Sequence, residues 1–157
     1  MGVSGCGKTT VGKLLASKLG IPFYDADDFH SDINKTKMSN QNPLTDYDRI
    51  PWLDSLSNHL KEWQLKDGAV LACSALKEDY RVILASKTKA INWVVLLGDY
   101  NTIKLRLDQR QNHFMKASLL QSQFDSLEIP EYGLQLSVKN EPETIANKII
   151  KSFYGQE

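Results

Sequence analysis

Gly2-Val3-Ser4-Gly5-Cys6-Gly7-Lys8-Thr9 opens the chain and fits the pattern G-x-x-x-x-G-K-[ST]. The spacing suits a loop that cradles phosphate. Glycines let the backbone turn its N–H groups toward phosphate oxygens. Lys8 is placed to reach β- and γ-phosphates, and the Thr9 hydroxyl to hold a divalent cation. A helix that starts here, with Thr10 in its first turn, points its positive end at the anion. Such a loop follows a buried parallel strand, and only Met1 stands before this one. The sequence therefore carries the expectation of a missing first strand, with apolar residues ahead of Met1.

Working outward, apolar runs alternate with helical patterns. Pro22–Asp25, Ala69–Cys73 and Trp93–Leu97 read as strands, and Leu134–Val138 as a weaker, alternating one. Apolar stripes follow the loop (Val11, Leu14, Leu15, Leu19) and recur at Trp52–Trp63, Ile103–Leu107, Leu119–Leu127 and Ile145–Phe153, the last after Pro142. This alternation predicts an α/β fold of three layers, a parallel sheet with helices on both faces. Ligands then bind beyond the carboxyl ends of the strands.

Polar residues cluster at those ends. Asp25 and Asp27 lie on one side of an extended chain, where carboxylates can hold hydrated Mg²⁺ and take a hydroxyl proton. A capped acidic turn is the other reading. Ser74 is placed to cap a helix, and Lys77 and Arg81 share a helical face suited to an anionic substrate, or form a solvated basic face. Arg106 and Arg110 repeat the spacing, either over a nucleotide or as a surface face paired with Asp108. Asp28 to Trp52 lacks periodicity and reads as a lid or substrate loop containing His30, Lys35, Lys37, Met38 and Arg49. Cys6, at a helix start beside Lys8, is expected to be sensitive to thiol reagents.

The 157 residues suit a single domain, 1–157. Zero formal net charge gives no overall pull toward nucleic acid or anionic membrane. No apolar run is long enough to span a membrane, and no signal peptide is visible. Two cysteines, Cys6 and Cys73, make no disulfide framework, and the three histidines lack metal-ligand spacing. A cytoplasmic setting is the simplest expectation.

In order along the chain, these residues resemble the gluconokinases. The resemblance runs through the phosphate loop, Phe23-Tyr24-Asp25-Ala26-Asp27-Asp28-Phe29-His30, Lys37-Met38 and Pro43-Leu44-Thr45-Asp46. It continues through Asp48-Arg49-Ile50-Pro51-Trp52-Leu53, Cys73-Ser74-Ala75-Leu76-Lys77 with Tyr80-Arg81, His113-Phe114-Met115 and Leu120-Gln121-Ser122-Gln123-Phe124. It implies a P-loop kinase fold similar to shikimate kinase, with a substrate segment and a lid, and ATP-dependent phosphorylation of D-gluconate to 6-phospho-D-gluconate. It also implies Mg²⁺ and a homodimer.

The expected roles are these. Gly2, Val3, Ser4, Gly5, Cys6, Gly7, Lys8, Thr9, Thr10, Arg106 and Arg110 bind ATP. Lys8, Asp27 and Arg110 are catalytic. Asp27, His30, Arg49, Lys77 and Arg81 bind substrate. Thr9 and, through water, Asp25 hold the metal. Cys6 departs from the usual Ser, and Asn112 stands where a glycine is common. Other small-molecule P-loop kinases, a P-loop switch protein and an inactive short form with a binding role are the alternatives.

Overall fold

The computed structural model describes residues 1–40, 42–109 and 117–155. Elements run in the order α1 (Lys8–Leu19), β1 (Phe23–Asp25), a 3-10 turn (Ala26–Phe29), α2 (Asp32–Ser39), α3 (Asp46–Gln64) and β2 (Val70–Ala72). Then follow α4 (Glu78–Ala85), β3 (Val94–Leu97), α5 (Tyr100–Asp108), α6 (Ala117–Asp125), β4 (Leu134–Ser137) and α7 (Pro142–Tyr154). All four expected strands form, and every pairing is parallel.

The pairing differs from a single continuous sheet. β1 pairs with β2, with Tyr24 opposite Leu71, and β3 pairs with β4, with Val95 opposite Gln135. Met1 spans the space between the pairs. Its amino group donates to the Val94 carbonyl at 2.6 Å, and its own carbonyl accepts from Leu96 N–H at 2.9 Å. Gly2 N–H then donates to the Ser74 carbonyl, just past β2, at 3.2 Å. Met1 thus makes the hydrogen bonds of a strand residue parallel to β3, and burial lowers its ammonium pKa to about 6. A cavity of about 440 Å³, lined among others by Met1, Lys8, Val11, Leu15, Leu71 and Val94, lies in the same space.

Two apolar clusters flank the strands. One joins α1, α5, α6, α7, β3 and β4 through residues such as Val11, Leu15, Leu96, Ile103, Leu120, Val138, Ile145 and Ile149. The other joins α3, α4 and the end of β2 through Trp52, Leu53, Leu56, Cys73, Tyr80 and Leu84. Burying each aliphatic side chain contributes about 1.5–3 kcal/mol, so these stripes fix the helices to the strands. Trp52 and Trp63 are both 8% exposed, as core residues should be.

Helix ends are set locally. Thr45 and Asp48 form a reciprocal capping box at the start of α3, and Asp99 caps α5. Ser74 does not cap α4. The helix starts later, at Glu78, with Lys77 at the cap position and no side-chain cap. α2 arises inside the stretch that reads as a loop. Ser31 caps it, and buried Asn34 donates to the Asp48 carbonyl at 2.9 Å. Polar bonds dock this helix, so it leaves no apolar period in the sequence.

Candidate functional site

The phosphate loop sits at the start of α1, as its pattern predicts. Gly2 has φ +137°, and a Cβ there would lie 2.7 Å from the Leu96 carbonyl oxygen. Gly7 opens α1 with φ 97°, a conformation that costs other residues strain. Lys8 folds back over its own loop, donating to the Gly2 and Val3 carbonyls at 3.0 and 2.9 Å. Ser4 N–H donates to Gln123 Oε1 at 2.6 Å, tying the loop to α6. Gln123 carried no assigned role in the sequence, because its partner is 119 residues away. Cys6 is 1% exposed and packs in the core. Only its backbone can face a phosphate, and the thiol is shielded from reagents, contrary to the expected sensitivity.

β1 delivers Asp25 to the loop. Thr9 Oγ1 donates to Asp25 Oδ2 at 3.2 Å, while Asp25 Oδ1 accepts from Asp27 N–H at 3.2 Å. Asp25 therefore caps the 3-10 turn and faces Thr9 together. Trp52 Nε1 donates to the Ala26 carbonyl at 2.8 Å and anchors the turn that carries Asp27. Desolvation of its carboxyl, then the charge of Asp25, raises the Asp27 pKa, with Lys8 opposing. Asp27 presents an exposed edge, so the proton it takes can come from the site.

His30 ends the turn and stacks on Trp52 at 4.1 Å, and it is 7% exposed. Its Nδ1 is buried without a hydrogen-bond partner. Burial, then Arg49 and Lys35, lower its pKa to about 4, so the ring is neutral near pH 7. A buried polar atom without a partner costs stability.

Arg49, Lys77 and Tyr80 converge on Asp46. Lys77 Nζ lies 2.7 Å from Asp46 Oδ2, Tyr80 Oη donates to Asp46 Oδ1, and Arg49 Nη1 is 3.8 Å from Oδ1. Arg81 points elsewhere. It is 1% exposed and donates to the Ala75 and Leu76 carbonyls at 2.8 and 3.2 Å, with Glu78 Oε2 at 2.7 Å and Tyr132 Oη at 3.1 Å. The expectation that Lys77 and Arg81 share a face fails because α4 begins after Lys77. Arg81 instead braces the turn at Ala75, which holds a left-handed φ of 44°.

On the other side of the loop, a pocket of about 330 Å³ is lined by Gly5, Gly7, Thr10, Arg106, Gln109 and Asn140 among others. Arg106 Nη2 donates to the Val138 carbonyl at 2.5 Å, which fixes its guanidinium at this wall, and Asp108 pairs with Lys104 instead. Thr10 and Arg106 thus line one pocket. Arg110 and the His113-Phe114-Met115 segment lie outside the described residues.

A family description for shikimate kinase matches residues 4–152. The chain belongs to the shikimate kinase family. Its similarity within this family runs to gluconokinases. It is 49% identical to a probable gluconokinase of Mus musculus, over 93% of this chain and 91% of that protein. It is 42% identical to a gluconokinase of Gluconobacter oxydans (strain 621H), over 100% of this chain and 90% of the other. The crystal structure of a gluconokinase from Sinorhizobium meliloti 1021 superposes with a TM-score of 0.86 at 37% identity, covering 95% of this chain and 86% of that one. This shikimate kinase family member therefore has the α/β P-loop kinase fold.

Proposed function

We propose that the chain is a gluconokinase that transfers the terminal phosphoryl group of ATP to the primary hydroxyl of D-gluconate, forming 6-phospho-D-gluconate. One observation carries this beyond family membership. A phosphate loop with a carboxylate beside it is joined, through the Ala26–Trp52 bond and the Trp52–His30 stack, to a cationic cluster suited to an acid. That layout suits an acceptor with a hydroxyl at one end and a carboxylate at the other.

Backbone N–H groups of residues 2–9, with Lys8, hold the phosphates. The pocket of Thr10 and Arg106 takes the base, and Arg110 acts at the transferring phosphate. Phosphate entry frees Lys8 from the Gly2 and Val3 carbonyls. The Thr9 hydroxyl and the Asp25 carboxylate form a hard oxygen pair that fits Mg²⁺, with Asp25 reaching through water. When bound, the ion neutralises charge on the β- and γ-phosphates.

Asp27 orients the acceptor hydroxyl and takes its proton as the O–P bond forms. Its raised pKa makes it a better base than an ordinary aspartate once ionised. The neutral His30 offers one donor and one acceptor nitrogen to the sugar hydroxyls. Arg49 and Lys77 meet the carboxylate. Arg81 serves them indirectly, by holding the Ala75–Leu76 carbonyls and so the placement of Lys77. A cytoplasmic setting and a homodimer complete the proposal. Among the described residues no helix is long and apolar enough to cross a membrane.

The test is ADP release with MgATP and a panel of D-gluconate, shikimate and nucleoside monophosphates. Release that depends on gluconate is expected. Release indifferent to the acceptor, or dependent on another member of the panel, contradicts the proposal.

A further inference from the structure

Asp46 is a helix-start acid whose bonds lead away from its own helix end. It is the first residue of α3, but the cap of that helix belongs to Thr45 and Asp48. Its carboxylate bonds instead to Lys77 at 2.7 Å and to the Tyr80 hydroxyl, with Arg49 at 3.8 Å. Three donors, from α3, α4 and the turn before α4, surround one carboxylate. Arg49 and Lys77 also lie 5.7 and 5.6 Å from the centre of the Tyr80 ring, so both cations are held to one aromatic face.

Exposure separates the acid from its donors. The Asp46 side chain is 60% exposed, against 29% for Arg49 and 32% for Lys77, and Tyr80 is buried at 9%. Asp46 can swing into water at small cost, because exposed ion pairs are weak. Tyr80 is too buried to follow it. Tyr80 Oη would be left in a buried setting without its acceptor, which is unfavourable. The cluster therefore calls for a carboxylate at all times, whether or not Asp46 supplies it. A second, unsatisfied polar group lies near the cluster. Arg49 is near enough to depress the His30 pKa, and the His30 Nδ1 atom is buried with no partner.

We propose that Lys77, Tyr80 and Arg49 form the carboxylate subsite of the acceptor, and that Asp46 is its internal occupant, displaced when the substrate carboxylate enters. This rests on the sugar-acid kinase reading. The exchange swaps one carboxylate for another, so the cluster keeps its charge balance. It also discriminates. A polyol of the same length cannot replace Asp46, so it gains neither the cations nor the tyrosine. Tyr80 and Asp46 thereby become specificity-determining residues.

The test uses the whole chain with D-gluconate and with D-glucitol, which carries a CH₂OH in place of the carboxylate. Calorimetric Kd values are measured beside turnover. Asp46→Asn is isosteric and leaves the Thr45–Asp48 cap intact. It is expected to tighten gluconate binding about fivefold, near the upper range for an exposed ion pair, with little change for glucitol. Tyr80→Phe and Lys77→Ala are expected to weaken gluconate binding about tenfold or more, as loss of a hydrogen bond to a charged group does, while ATP affinity holds. Weaker gluconate binding in Asp46→Asn, or no change in Tyr80→Phe and Lys77→Ala, overturns the proposal. Tight gluconate binding that follows this pattern without phosphorylation would uphold the subsite and refute the gluconokinase reading instead.

Discussion

The nucleotide end and the acceptor end of the site are built in opposite ways. At the nucleotide end the ligand-facing groups are mostly backbone N–H groups from one contiguous stretch, residues 2–9. At the proposed acceptor end they are side chains from the 3-10 turn, α3, the turn before α4 and α4 itself, and several are already paired within the protein. Lys8 rests on the Gly2 and Val3 carbonyls, which a phosphate replaces in the proposed mechanism. Lys77 and Tyr80 rest on Asp46. Both ends hold their cations on internal partners that an entering ligand would have to replace. They differ in what a mutation reaches: within the phosphate loop a side-chain change acts mainly through Lys8 and Thr9, whereas each proposed acceptor residue can be removed alone.

The largest effect should come from Lys8→Ala, which removes the one side-chain cation of the phosphate loop. A loss of about 3 kcal/mol or more in kcat/KM is expected, as for other donors aimed at developing charge. Near-normal kcat/KM in steady-state assays would break the contrast between the two ends. Asp27→Asn comes next, with turnover cut by about 10²–10⁴ while ATP still binds by calorimetry. Because the Asp27 pKa is raised, kcat should climb with pH through a midpoint above that of an ordinary aspartate. A change confined to ATP affinity would move the base elsewhere.

Arg81→Ala and Arg49→Ala sharpen the comparison within the acceptor end. Removing Arg81 strands the Ala75 carbonyl, while the Leu76 carbonyl keeps Glu128 N–H at 2.9 Å, and should cost about 1–3 kcal/mol of stability in urea unfolding. Arg49→Ala removes one donor, to the Leu44 carbonyl at 2.5 Å, so it should cost less stability, about 1 kcal/mol, and raise the gluconate KM as well. The reverse pattern would restore Arg81 as the carboxylate ligand.

The smallest effect concerns pH. His30 has a folded pKa near 4 against 6.5 for the free side chain. The unfolded chain therefore binds the proton first, and stability should fall as pH drops from about 6.5 toward 4. His30→Gln should flatten the Tm in that window, and an unchanged slope would show that His30 is not the cause.

Much of this was legible in the sequence where function is contiguous. The phosphate loop, the four strands and the apolar stripes of α1, α3 and α7 follow from local spacing and period. Other parts were not. α2 docks through Asn34 and Lys37 rather than an apolar face, so no period reveals it. Arg81 has the composition and spacing of a ligand residue, and only the late start of α4 turns it inward. Asp46 reads as one helix-start acid among several, because its donors lie 31 and 34 residues away. The four strands pair as two parallel couples bridged through Met1, where alternation alone suggests one sheet.

The most direct measurement is mass detection of the product after the purified chain is incubated with MgATP and D-gluconate. A gluconokinase yields 6-phospho-D-gluconate in step with ADP, and the Asp27→Asn variant yields little of either. ADP formed without a phosphorylated gluconate would contradict the central claim.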